Sequence, residues 1–285
     1  MKREVTTYRY VRFGLLALLL ALAVGVGIET VRDGWQGSIS AYYYTPAGPI
    51  FIAVMASVGV CLVALQGFTD AENVCLNLAG ISAPMVAFVP SPERGEAPDV
   101  AAITNNAATY LSVLAVGYLV VLGFVWHRLR RGGALTPWSW IGLVAVALAW
   151  LVGVVWLSSD RATFVTHAHT LAATFTLLPF VFVVALNTDW GVRVIAREPL
   201  PSRTRFDTAY WLVLGGMFCV AIVFGVLHAW TYALLGLEIG ILALFAAFWV
   251  LQSIDLMDPA RDELTSDSVR SARSAGPADS GPSPR

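Results

Sequence analysis

Few residues in this chain can do more than pack, and those few sit near the ends of apolar runs. Glu238 is the one acid inside such a run, six residues past Tyr232. A charged group in hydrocarbon is expensive, which makes Glu238 a functional candidate; the alternative is a protonated Glu that ties helices together by a hydrogen bond. His167, His169 and His228 stand near the ends of neighbouring runs, and Glu238 or a histidine is the candidate general base. A helix turns about 100° per residue, so His167 and His169 point to opposite faces and cannot both reach one metal. His167, Thr170 and Thr174 share a face, expected to look into a bundle. Zinc could accept one of the paired histidines with His228 and Glu238, but HExxH and HxxxH are both absent and no metal is expected.

A second source of polar groups is Gly37–Pro49, where Ser38, Ser40, Tyr42, Tyr43, Tyr44 and Thr45 interrupt two apolar stretches. Tyrosine favours the boundary between hydrocarbon and water, so the triple Tyr reads as an interface anchor. Alternatively these hydroxyls fold inward and line a pocket. Asn105 and Asn106 carry the same ambiguity: they either cap a helix or join that pocket. A further group, Gln66, Asp70, Glu72, Asn73 and Asn77, surrounds a tight connection, where Asp70 or Asn73 is expected to cap the following helix.

The elements that must position these residues follow from hydropathy. The chain is 57% apolar and 13% charged, with a mean hydropathy of +0.69. Soluble domains carry about 25% charged residues, and a bilayer-crossing helix needs about 20 mostly apolar ones. The sequence therefore predicts an all-α, polytopic transmembrane bundle over residues 1–256 with about eight spans: Phe13–Ile28, Pro49–Gln66, Val74–Val89, Ala108–Trp126, Trp138–Leu157, Phe164–Leu186, Thr208–Leu227 and Tyr232–Leu251. The third is the weakest, being short and holding Asn77 and Pro84, and is expected to be tilted, kinked or partly buried by neighbours. Ala21-Leu22-Ala23 resembles a signal-peptide cleavage site, but the apolar run continues through Ile28, which favours a retained anchor.

Of the 18 Lys and Arg residues, fifteen fall on one side of this arrangement and only Arg32, Arg94 and Arg161 on the other. The positive-inside rule then places both termini in the cytosol of a plasma-membrane protein. Residues 257–285 are rich in Ser, Pro and Gly and are expected to be a disordered cytoplasmic tail. No basic groove with interleaved aromatics occurs, which argues against nucleic acid, and no phosphate loop, dinucleotide fingerprint or GxSxG elbow is present. Cys61, Cys75 and Cys219 lie in apolar runs and read as small hydrophobes. No cofactor is indicated.

Three segments carry a resemblance. Ser38-Ile39-Ser40-Ala41-Tyr42-Tyr43-Tyr44-Thr45, the run from Asp70-Ala71-Glu72-Asn73 to Leu76-Asn77-Leu78-Ala79-Gly80, and Phe248-Trp249-Val250-Leu251-Gln252 resemble a family of bacterial polytopic membrane proteins filed under a domain of unknown function. The likeness covers the chain to about Leu256 and implies the fold, not an activity. A fainter likeness, on Ile39-Ser40 and Pro49, is to the DRAM-like membrane proteins. The expectation is a pocket for a membrane lipid or small amphiphile built from Ser38, Ser40, Tyr42, Tyr44, Asn105, Asn106, His167, His169, His228 and Glu238. A proton-coupled transporter, with a polar path from Glu238 to Asn77 and Asp70, or a non-catalytic membrane subunit are the alternatives.

Overall fold

The computed structural model describes residues 2–91, 99–196 and 204–255. Eight α-helices run through them: α1 (Lys2–Asp33), α2 (Gly48–Ala64), α3 (Asp70–Phe88), α4 (Val100–Arg130), α5 (Pro137–Ser159), α6 (Arg161–Leu186), α7 (Thr204–Val226) and α8 (Ala233–Asp255). No strand occurs among the described residues. Seven of the helices are long and apolar enough to cross a membrane, while α2, with 17 residues, is shorter. It ends where Leu65 turns extended. The expected tail lies outside the described residues.

Side chains fix most helix starts. Thr69 caps α3 by accepting from the Glu72 N–H at 3.1 Å, so the cap is neither Asp70 nor Asn73. Thr-x-x-Glu is a capping-box spacing, and Glu72 completes it by accepting from the Phe68 N–H at 2.8 Å. Asp99 caps α4 through the Ala102 N–H. Asn105 and Asn106 consequently lie inside that helix rather than at its start. Thr136 followed by Pro137 opens α5, the fixed φ of proline suiting a first turn, and Asp160 opens α6.

As expected, α3 is the least apolar of the seven long helices and is covered by its neighbours. It is the most buried of the long apolar helices, packed between α2 and α6, so a surface-type composition of small and polar residues reflects neighbours rather than lipid. Gly59 of α2 and Gly80 of α3 make the closest approach. A Cβ at Gly59 would lie 2.6 Å from the Gly80 carbonyl oxygen and 2.7 Å from Pro84 Cδ. By contrast, α4 and α5 bury little, and their apolar side chains face outward along most of their length.

The main core joins α1, α2, α3, α6, α7 and α8, with Leu15 and Leu22 of α1 inside it. Its middle is aromatic. Phe180 of α6 meets Phe245, Phe248 and Trp249 of α8 at ring-centroid distances of 4.3, 5.4 and 6.4 Å, and Tyr210 of α7 closes on Phe248 at 5.9 Å. Gly236, Gly240, Ala243 and Ala247 recur at a small-residue spacing along α8 that would let a neighbouring backbone approach, but among the described residues no backbone does. Gly236 and Gly240 receive the Phe224 and Val220 side chains of α7, not its backbone, and Ala243 and Ala247 are exposed.

Candidate functional site

The short helical turn Ser40–Tyr44 is folded against the start of α8. The Leu235 N–H, a first-turn donor with no partner inside its own helix, donates to the Gly37 carbonyl at 3.1 Å. The Ile39 N–H donates to Glu238 Oε2. Glu238 therefore does tie two elements together, but it grips a loop amide rather than a side chain of another helix. Within the turn, Ser38 Oγ accepts from the Ala41 N–H and sits 3.0 Å from Ser40 Oγ.

Beneath this clamp lies a cavity of about 110 Å³ between α1, α2, α6 and α8. Leu22, Phe51, Val54, Val58, Phe180 and Phe245 supply apolar wall, and Ser40, His169, Thr176 and Glu238 are its polar residues. Leu177, also in the wall, is exposed on the outside of the bundle, so the cavity reaches the lipid-facing surface beside it. His169 is buried, and its Nδ1 lies 3.0 Å and 2.9 Å from the Val86 and Val89 carbonyl oxygens. Two carbonyls cannot donate, so the ring proton is on Nδ1 and, in the neutral imidazole, Nε2 is an acceptor. Thr176 gives its hydroxyl proton to the Ala172 carbonyl at 2.9 Å. A second cavity, of about 390 Å³ between α3, α4, α5 and α6, is larger. Its polar side chains are spent on backbone: Tyr110, Tyr118 and Trp150 donate to the carbonyls of Ile81, Leu143 and Leu111.

Of the ten residues expected to share a pocket, Ser40, His169 and Glu238 line the first cavity and Ser38 backs Ser40. The other six stand elsewhere. Tyr42 is fully buried, its hydroxyl 2.5 Å from Thr30 Oγ1, so it is neither an anchor at a membrane boundary nor a pocket wall. Tyr44 donates to the Ser91 carbonyl at 3.2 Å. Asn105 is exposed and Asn106 half-buried on α4. His167 and His228 are exposed and pair with carbonyls of their own segments, Thr163 and Gly225. The stripe of His167, Thr170 and Thr174 faces outward, opposite to expectation. Among the described residues no three metal-binding side chains form a group.

At the other end of the aromatic layer, a buried network escaped the sequence reading. Glu72 Oε1 accepts from Asn187 Nδ2 at 2.9 Å and from Gln252 Nε2 at 3.2 Å, and Gln252 Nε2 also reaches Asn187 Oδ1 at 3.2 Å. Each of the three is at most 1% exposed. The capping-box spacing signals Glu72, but nothing local announces Asn187, which ends α6, or Gln252, which falls one turn beyond the aromatics of α8. Nearby, Arg12 lies over the Trp249 ring at 5.8 Å, and Tyr210 donates to Asp255 at 3.0 Å. Asp70 accepts from Thr136 Oγ1 at 2.6 Å and Asn77 is exposed, so neither extends this network.

Seven long apolar helices make the chain a multi-pass integral membrane protein. Comparison with protein-family models, with curated proteins and with solved structures gave no match.

Proposed function

We propose that the protein binds a single-chain membrane amphiphile in the cavity beneath the Glu238 clamp. One observation carries this reading: a narrow, apolar-walled cavity has its few polar groups supplied by Ser40, His169, Thr176 and Glu238 and opens to lipid beside Leu177. At about 110 Å³ it is smaller than sites that enclose whole small molecules, roughly 300–1,000 Å³. A chain end or slender head group suits it, with the remainder lying in the bilayer. The protein sits in the plasma membrane with an even number of crossings and both termini cytosolic, α2 being the short one. The likeness to bacterial polytopic membrane proteins belongs to this reading, since its three segments supply Ser40, Glu72 and Gln252 to the two polar centres.

A proton-coupled carrier would need a continuous polar path from Glu238. The layer formed by Phe180, Phe245, Phe248, Trp249 and Tyr210, every member at most 7% exposed, favours a binding cavity that ends at these rings over such a path. Mass spectrometry of the protein purified in mild detergent tests the proposal. A single-chain amphiphile is expected in stoichiometric amount, and Ala173→Trp, which fills the cavity from its α6 wall, is expected to lose it while the protein stays monodisperse. Equal lipid in both proteins, or none in the wild type, would overturn the reading.

A further inference from the structure

Resting on that reading, we infer that the head group is a hydrogen-bond donor, specifically a primary ammonium: the cavity takes a long-chain amine and disfavours a long-chain carboxylate. The argument is an inventory of what its polar wall offers. Glu238 Oε2 already holds the Ile39 N–H, and in the ionised form that an ammonium partner favours Oε1 is a free acceptor. His169 has its proton committed to the Val86 and Val89 carbonyls, so Nε2 also accepts. Thr176 has given its proton to Ala172 and keeps only lone pairs. Ser40, facing Ser38 at 3.0 Å, is the one wall residue whose hydroxyl proton can turn toward a ligand. The Ile39 backbone amide is spent on Glu238.

A carboxylate or phosphate brings acceptors only and would meet lone pairs and a second negative charge across an apolar space, where like charges repel more strongly than in water. An ammonium brings three donors and no acceptor, which matches Glu238 Oε1, His169 Nε2 and one hydroxyl oxygen in number and sense. An alcohol can satisfy one of these acceptors and leaves the charge of Glu238 unmatched. Bonds to charged groups are stronger than neutral ones, so the amine should exceed the alcohol by roughly tenfold, about 1.4 kcal/mol.

The test is competition. Wild type, Glu238→Gln and Ala173→Trp are presented in a non-ionic detergent with equimolar hexadecylamine, hexadecanol and hexadecanoic acid, and bound species are counted by native mass spectrometry. Glu238→Gln keeps an acceptor for the Ile39 N–H, so the turn stays clamped while the charge is removed. The expected result is a preference of roughly tenfold for the amine in the wild type, lost in Glu238→Gln with hexadecanol still bound, and no ligand in Ala173→Trp. Acid bound as well as amine, or a preference for amine that survives in Glu238→Gln, would overturn the head-group assignment while leaving the cavity reading intact. If none of the three chains binds the wild type, the cavity reading itself fails and the assignment with it.

Discussion

Asp160 shows what one exposed side chain can do at a helix end. Its Oδ1 accepts from the Thr163 N–H at 3.1 Å and its Oδ2 from Thr163 Oγ1. The hydroxyl bond first, and the amide bonds after it, hold the carboxyl below the usual carboxylate range. A depressed acid contributes stability that is present above its unfolded-state value and disappears as pH falls through the folded-state value. Acidification from about pH 6 to below about pH 4, the unperturbed range for Asp, should therefore lower the melting temperature of the wild type. In Asp160→Asn, which retains a capping oxygen, that decline should be shallower; identical slopes by differential scanning fluorimetry would show that the cap carries no pH dependence. At this same scale the sequence was partly legible. Spacing alone separated His167 from His169, but helix phase gives relative direction only, and which of the two faced inward was set by where α6 docks. Glu238 stood out because an acid is rare in an apolar run. Asn187 and Gln252 did not, because an amide near a helix end is ordinary until a third helix brings Glu72 against it.

Between elements, the α2–α3 contact is where the chain is least forgiving. Gly59 lets the Gly80 carbonyl and the Pro84 ring come within reach of its Cα, and no rotamer change can relieve a clash with backbone. Overpacking of this kind costs about 1–3 kcal/mol. Gly59→Ala should lower stability by that amount, measured by thermal unfolding in detergent, whereas Gly117→Ala, with open space around its Cβ on lipid-facing α4, should leave it unchanged. A Gly59→Ala protein as stable as wild type would mean the two helices can slide apart freely. The eight-element order was legible from hydropathy, since long apolar runs have few alternatives. That neighbours cover α3 was also legible from its composition, but not that α2 and α6 are those neighbours. Small and polar residues make a helix look unsuited to lipid, and they let α2 and α6 pack against it.

For the molecule as a whole, the charge distribution and the helix order make a joint prediction. With fifteen of 18 Lys and Arg residues assigned to one side, single cysteines placed at Arg130 and at Ser158, in a background lacking the three native cysteines, should label from opposite sides of sealed vesicles. Labelling of both from the same side would mean that α5 does not cross the membrane and would break the proposed even number of crossings. The aromatic layer has a separate consequence. Glu238 and Gln252 are fourteen residues apart on α8, about 21 Å at 1.5 Å per residue, and rings fill the interval between them. Between the two positions α8 carries no ionisable side chain, so the rings separate the two polar centres. Substitution at the half-buried Glu238 should therefore leave the hydrogen bonds of the buried Glu72 intact.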